Sequence, residues 1–259
     1  MKKILLIFMV LIISLSSNAQ QEDLREIFEK SYFTDSFGTV LPYRLLRPQY
    51  EQIPGKKFPV VLFLHGAGER GSDNEKQLTW IDKIFSKDEF LENFPCYIII
   101  PQCGENYRWC ETDWTLPSHK MPEKISKYLH AANELLDSIA STEKTDKSRL
   151  YVTGMSMGGF GTWDLISRFP TKFAAAMPIC GGSDENMASR LTEIPIRTFH
   201  GDRDKAVKVI RSRNITAAIK KCGGKKIEYT EFPGQGHFIW NKVYSDNKNF
   251  EWLFSNVNK

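Results

Sequence analysis

Residues 149–161 read Arg149-Leu150-Tyr151-Val152-Thr153-Gly154-Met155-Ser156-Met157-Gly158-Gly159-Phe160-Gly161. An apolar, partly β-branched run ends in Gly-x-Ser-x-Gly, and a helix-compatible segment follows. That context suits a serine presented on a tight strand-to-helix turn. Such a turn is strained, so its neighbours must be small. Gly154 and Gly158 stand two residues either side of Ser156, where a Cβ is expected to collide with the adjoining strand or helix. Glycines around a serine also make ordinary loops, and it is the placement between a strand and a helix that favours the turn.

Working outward, apolar runs recur on both sides. Residues 58–64, 96–100, 173–180 and 195–200 have the length and composition of strands buried on both faces. Residues 32–47 alternate apolar and polar around Phe37-Gly38-Thr39 and predict a β-hairpin. Residues 226–232 predict one more strand. Helices are expected over residues 123–139, 157–168 and 206–221, the last ended by Cys222-Gly223-Gly224. Residues 22–30 read as a charged lead of about one helical turn, and residues 78–90 as weakly helical. Residues 102–122 predict a long irregular loop with Trp109 and Trp114, which in a compact domain is a functional feature or a lid. Strands alternating with helices imply an α/β fold. Its central sheet is mostly parallel, with an N-terminal antiparallel hairpin and helices on both faces. No repeat or linker divides residues 20–259, which read as one domain.

The chain has 259 residues and a formal charge of +4. Lys2 and Lys3 supply two of those charges and form a basic lead to the apolar run 4–15, after which Ser17-Asn18-Ala19 offers small residues. Residues 1–19 thus read as a signal peptide cleaved after Ala19, and the mature protein is expected to be exported, periplasmic or secreted. No later stretch is long and apolar enough to span a bilayer, so no membrane association is expected after cleavage. The remaining charges are interspersed without a basic stripe, which argues against nucleic acid as a partner. Five cysteines, Cys96, Cys103, Cys110, Cys180 and Cys222, leave at least one free thiol. Cys103 and Cys110 share one loop and could pair in an oxidising compartment. No Cys-x-x-Cys is present, and a zinc site is not expected.

A serine hydroxyl needs a base to take its proton and an acid to orient that base. In open α/β sheets the reactive groups lie just beyond the carboxyl ends of strands. Of the five histidines, His65 and His200 each precede a glycine at a strand end and read as loop-bracing residues. His119 and His130 lie on the long loop and the helix after it. His237 follows the last strand in a Gly-rich turn and is the candidate base. Asp202 and Asp204 follow the strand at 195–200 and are the candidate acids. Ser156, an Asp after a later strand and His237 then follow one another in chain order. Such chemistry requires no metal and no cofactor. Gln102 and Trp109 are candidates to line a substrate pocket, anchoring of the loop being the alternative for Trp109.

Four segments together resemble the α/β-hydrolase superfamily, within it the carboxylesterase, dienelactone-hydrolase and polyhydroxybutyrate-depolymerase-like group. They are His65-Gly-Ala-Gly-Glu-Arg-Gly71, Gly154-Met-Ser-Met-Gly158, His200-Gly-Asp-Arg-Asp-Lys-Ala-Val207 and Gly236-His-Phe-Ile-Trp240. The resemblance covers nearly the whole chain after residue 19. It implies Ser156 as nucleophile, His237 as base and Asp204 rather than Asp202 as acid. It places the oxyanion hole at the N–H groups of Met157 and Ala67. One departure is Lys208, where many relatives carry proline. The implied activity is hydrolysis of carboxylic esters through an acyl-enzyme, acetyl or feruloyl esters on polysaccharides among them. The expected partner is a small-molecule or polysaccharide-linked ester, with oligomeric state left open. A serine peptidase, or a non-catalytic binding module of the same fold, is the alternative.

Overall fold

The structure, a computed structural model, describes residues 25–50, 52–141 and 144–258. The expected signal peptide, residues 1–19, lies outside them. The strands are β1 (Phe28–Thr34), β2 (Val40–Leu46), β3 (Phe58–Leu64), β4 (Tyr97–Pro101), β5 (Thr145–Met155), β6 (Ala175–Ile179), β7 (Ile196–Gly201) and β8 (Ile227–Phe232). The helices are α1 (Asp82–Phe85), α2 (Asp88–Asn93), α3 (Lys127–Ala140), α4 (Met157–Arg168), α5 (Ile210–Lys221), α6 (Trp240–Tyr244) and α7 (Asn247–Ser255). The eight strands form one sheet in the order β1-β2-β4-β3-β5-β6-β7-β8. β1 pairs antiparallel with β2, and β2 with β4, while all other pairings are parallel. The expected α/β architecture with its N-terminal hairpin is present.

β3 explains the layering. All seven of its residues are buried, because a strand in the middle of a parallel sheet is covered on both faces. Successive side chains point to opposite faces. Val60, Leu62 and Leu64 therefore join one core with Leu129, Leu136, Trp163 and Ile215 from α3, α4 and α5. Val61 and Phe63 join the other with Phe85, Phe90, Tyr244 and Phe250 from α1, α2, α6 and α7.

Several boundaries differ from the sequence reading. The charged lead ends in strand: after a short helical stretch at residues 25–26, β1 begins at Phe28, which is fully buried and pairs with Leu46. α3 starts later than residue 123, because Ser126 caps it, its Oγ accepting from the Leu129 N–H at 3.3 Å. α5 starts at Ile210 rather than 206, because the preceding residues are held in the loop around Asp204. Cys103 and Cys110 are both buried free thiols, as are Cys96 and Cys180. Burial raises the pKa of each. Among the described residues, no helix is long and apolar enough to cross a membrane.

α4 lies so close to β3 that a Cβ on Gly158 would stand 1.9 Å from the Leu64 carbonyl oxygen. Backbone cannot yield to that overlap as a flexible side chain would. Gly158→Ala is expected to cost at least the roughly 1–3 kcal/mol of an overpacked core. A lowered denaturant midpoint, or loss of soluble protein, is the readout.

Candidate active site

Parallel pairing brings the carboxyl ends of β3, β5, β7 and β8 to one edge of the sheet. β5 delivers Ser156. Its φ of 55° is rare for a residue with a side chain, and its N–H donates to the Ile179 carbonyl at 2.9 Å. The neighbouring space is taken: a Cβ on Gly154 would lie 2.5 Å from the Gly158 oxygen. Ser156 is thereby lifted out of the sheet while its flanks stay packed.

β7 delivers the acid. Asp204 Oδ1 accepts from the N–H groups of Ala206 at 2.8 Å and Val207 at 2.9 Å. Its Oδ2 faces His237 Nδ1 at 2.6 Å and His200 Nε2 at 3.1 Å. Burial would raise the Asp204 pKa, but these hydrogen bonds outweigh it and hold the carboxyl far below its ordinary range. His200 Nδ1 lies 2.8 Å from Ser212 Oγ, so α5 steadies the acid loop from below. β8 delivers His237, whose Nε2 lies 2.8 Å from Ser156 Oγ. The acid and histidine loops are pressed together: the Arg203 N–H donates to the Gln235 carbonyl at 2.9 Å. A Cβ on Gly201 would meet the Gly236 oxygen at 2.2 Å. Ser156, His237 and Asp204 thus form a continuous hydrogen-bonded relay. Asp202 stands outside it, with its Oδ1 buried and unpartnered.

β3 delivers His65 and the turn after it. His65 is fully buried. Its Nδ1 lies 2.6 Å from the Gly66 carbonyl, and its Nε2 accepts from the Cys103 N–H at 2.9 Å. This pattern needs a neutral ring with its proton on Nδ1, and burial lowers the His65 pKa to about 4. Ala67 opens the 3-10 turn Ala67–Glu69, and Met157 is the first residue of α4. A first-turn helical N–H has no intrahelical partner and is free for an anion. A Cβ on Gly66 would lie 3.7 Å from Ser156 Cβ, so the turn abuts the serine.

Between these loops lies a cleft of about 380 Å³. Ser156 and His237 form its floor, and Trp80, Trp114, Phe238 and Trp240 its walls. Gln102 and Trp109, expected to line a pocket, do not line it. Both are fully buried. Trp109 Nε1 donates to the His65 carbonyl at 3.0 Å. Gln102 Nε2 donates to Asp73 Oδ1 at 2.9 Å, and its Oε1 accepts from the Asn74 N–H at 2.7 Å. They hold the two loops against each other. The long loop is likewise no free lid, since buried Arg211 donates to the Leu116 carbonyl at 2.6 Å and the Asp113 carbonyl at 2.7 Å.

The sequence reading also passed over Glu69. It lines the cleft yet is only 8% exposed. Its Oε1 accepts from Trp80 Nε1 at 2.9 Å. Burial raises its pKa, against hydrogen bonds from Trp80 and the Gly66 backbone. One carboxyl group therefore ties an aromatic wall to the turn beside Ser156. Cys180 Sγ, Asp204 and His237 are the one cluster among the described residues with metal-like proximity, their ligating atoms lying within 4.8 Å of one another. The Asp204–His237 hydrogen bond already occupies the atoms a metal would take.

The phospholipase/carboxylesterase family model matches residues 51–251. An uncharacterized secreted protein of Arthroderma benhamiae is 26% identical over 247 residues, covering 81% of this chain and 25% of its own length. A bifunctional acetylxylan esterase/xylanase of Neocallimastix patriciarum is 23% identical over 146 residues, covering 56% and 19%. This chain thus spans about a quarter or less of either relative. A solved thermostable esterase superposes with a TM-score of 0.81 at 35% identity, covering 90% of this chain and 64% of its own.

Two outcomes test the supports of this site. Glu69→Ala strands the Trp80 N–H and is expected to cost about 1–3 kcal/mol of stability. Glu69→Gln keeps an acceptor and costs less, as melting temperatures and tryptophan emission will show. His65 gains its proton near pH 6.5 when unfolded but near 4 when folded. The unfolded state binds more protons in between, so its contribution to stability is whole above pH 6.5 and is lost as pH falls towards 4. His65→Asn should flatten that slope in urea titrations across the same window. The matched segment holds every loop that builds the cleft, and the chain belongs to the phospholipase/carboxylesterase family of α/β-hydrolases.

Proposed function

We propose that the protein is an exported serine esterase that hydrolyses carboxylic esters through a Ser156–His237–Asp204 triad. The observation that carries this reading is the relay of 2.8 Å from Ser156 to His237 and 2.6 Å from His237 to Asp204. Ser156 Oγ attacks the ester carbonyl while His237 Nε2 takes its proton. The ionised Asp204 holds the imidazole tautomer and stabilises its charged form. The Met157 and Ala67 N–H groups receive the charge that develops on the carbonyl oxygen, an interaction whose loss typically costs about 3 kcal/mol. The intermediate collapses as His237 returns the proton to the departing alcohol oxygen, leaving an acyl-Ser156 ester. Water, activated by His237, then releases the acid. No step calls on a metal or cofactor.

The aromatic walls suit a compact acyl group or a flat one, so acetyl and feruloyl esters both fit the cleft's chemistry. The likeness to an acetylxylan esterase supports polysaccharide-linked esters. The leader pattern of residues 1–19 and the likeness to a secreted fungal protein support export.

A fluorophosphonate probe should label the wild type and not Ser156→Ala. Turnover of p-nitrophenyl acetate should fall to background in Ser156→Ala, and on the order of 10⁴-fold in Asp204→Asn. Unchanged hydrolysis by Ser156→Ala would overturn the mechanism, and cleavage of peptide amides without esters would make the enzyme a peptidase.

A further inference from the structure

The cleft does not end at Trp80. The same indole borders a second hollow of about 360 Å³, shared with Thr79, Lys83, Asn241 and Ser245. Ile84, Lys87 and Ser245 then border a third, of about 200 Å³, that reaches Glu89 and Asn247. Trp80 is common to the first and second, and Ile84, Lys87 and Ser245 to the second and third, so the three hollows succeed one another across the surface as the line of a groove. It leads from Ser156 over Trp80 and between α1 and the α6–α7 junction.

The direction of this groove matters. The departing alcohol oxygen must lie within reach of His237 Nε2, which protonates it. Phe238 and Trp240 pack on the His237 ring at 5.8 and 5.4 Å, and Trp80 packs on both of them at 5.9 and 5.5 Å. On this side of the cleft Trp80 also lines the next hollow, which gives a chain attached through that oxygen a way into the groove.

The lining specifies the chain's chemistry. Asp82 is ion-paired with Arg25 at 2.8 Å, and Glu89 accepts from Asn247 Nδ2 at 2.6 Å. Lys83 and Lys87 are exposed, and their ammonium groups pair with no carboxylate among the described residues. With the Asn241 amide and the Ser245 hydroxyl they present hydrogen-bonding groups spread along the groove. A hydrocarbon chain would displace water from them and return nothing. A hydroxyl-rich chain replaces that water bond for bond, and the half-exposed Trp80 ring offers an apolar face to a sugar ring.

We infer that this groove holds the saccharide chain of a polysaccharide-linked ester, on the leaving-alcohol side of the cleft. It rests on the esterase reading above and adds to it the form of the alcohol. Acetylated xylo-oligosaccharides of increasing length and p-nitrophenyl acetate are the paired probes. In the wild type kcat/KM should rise with chain length, mainly through KM. The triple variant Lys83→Ala/Lys87→Ala/Asn241→Ala alters exposed side chains only and should keep full activity on p-nitrophenyl acetate. On the longest chains it should lose about tenfold, the scale of one or two surface hydrogen bonds. A flat length dependence in the wild type, or one unchanged in the triple variant, overturns the groove while leaving the esterase intact. Calorimetric binding of the deacylated oligosaccharide to Ser156→Ala reads the groove without turnover. Binding that weakens about tenfold when the triple substitution is added supports it, and no binding overturns it.

Discussion

The approach of α4 to β3 governs the whole carboxyl edge of the sheet. Gly158 has no side chain, so the first turn of α4 can rest on the Leu64 carbonyl. That contact leaves Ser156 no room in the sheet and forces its backbone to a φ of 55°. The strain is local, and the surroundings over-determine it: the Ser156 N–H is tied to Ile179, and Gly154 is pressed on Gly158. Because the helix begins one residue later, its free N–H groups open beside the serine hydroxyl. A single packing distance thus exposes the Ser156 hydroxyl and opens the helix-start N–H groups beside it.

Asp204 and His237 depend on a second close contact. Gly201 lets the loop after β7 lie against the loop after β8, and the Arg203–Gln235 backbone bond locks them together. Asp204 is buried, which alone would favour its neutral form. Two backbone N–H groups and two imidazoles prevent that. Those donors also orient the carboxylate, so the imidazole of His237 can turn only one edge to Ser156. His200 and Ser212 carry the same restraint into α5. The charge state of Asp204 and the orientation of His237 therefore share a cause.

These features explain what could be read from the sequence. Ser156, Asp204 and His237 sit in short segments whose glycines and strand-end positions are local, so pattern alone brings them forward. The sheet was legible for the same reason, since β3 announces double burial by having no polar residue. The walls of the cleft were not. Trp80 lies in a segment with no clear period, and only the folding of the 65–71 turn brings Glu69 to its indole. Trp109 and Gln102 misled because a tryptophan or an amide on a long loop is equally able to face substrate or backbone. Here the His65 carbonyl and the Asn74 N–H claimed them first. Residues 28–30 misled because their charges point outward from an edge strand, which resembles a solvated helical lead.

Glu69 shows why chemistry and specificity separate in this fold. A half-satisfied buried carboxyl would be a liability, so its presence beside Ser156 needs partners. It finds them in the indole of Trp80 and the backbone of Gly66. The wall and the turn beside Ser156 are consequently one mechanical unit, although they come from separate parts of the chain. Phe238 and Trp240 join the same unit through ring contacts with Trp80. The backbone contacts at Gly154, Gly158 and Gly201 leave no space for a side chain, whereas side chains on the loops around them face the cleft. A change at position 80 or 238 can reshape the cleft without moving Ser156, because the serine is held by the sheet and the aromatic lining by the loops.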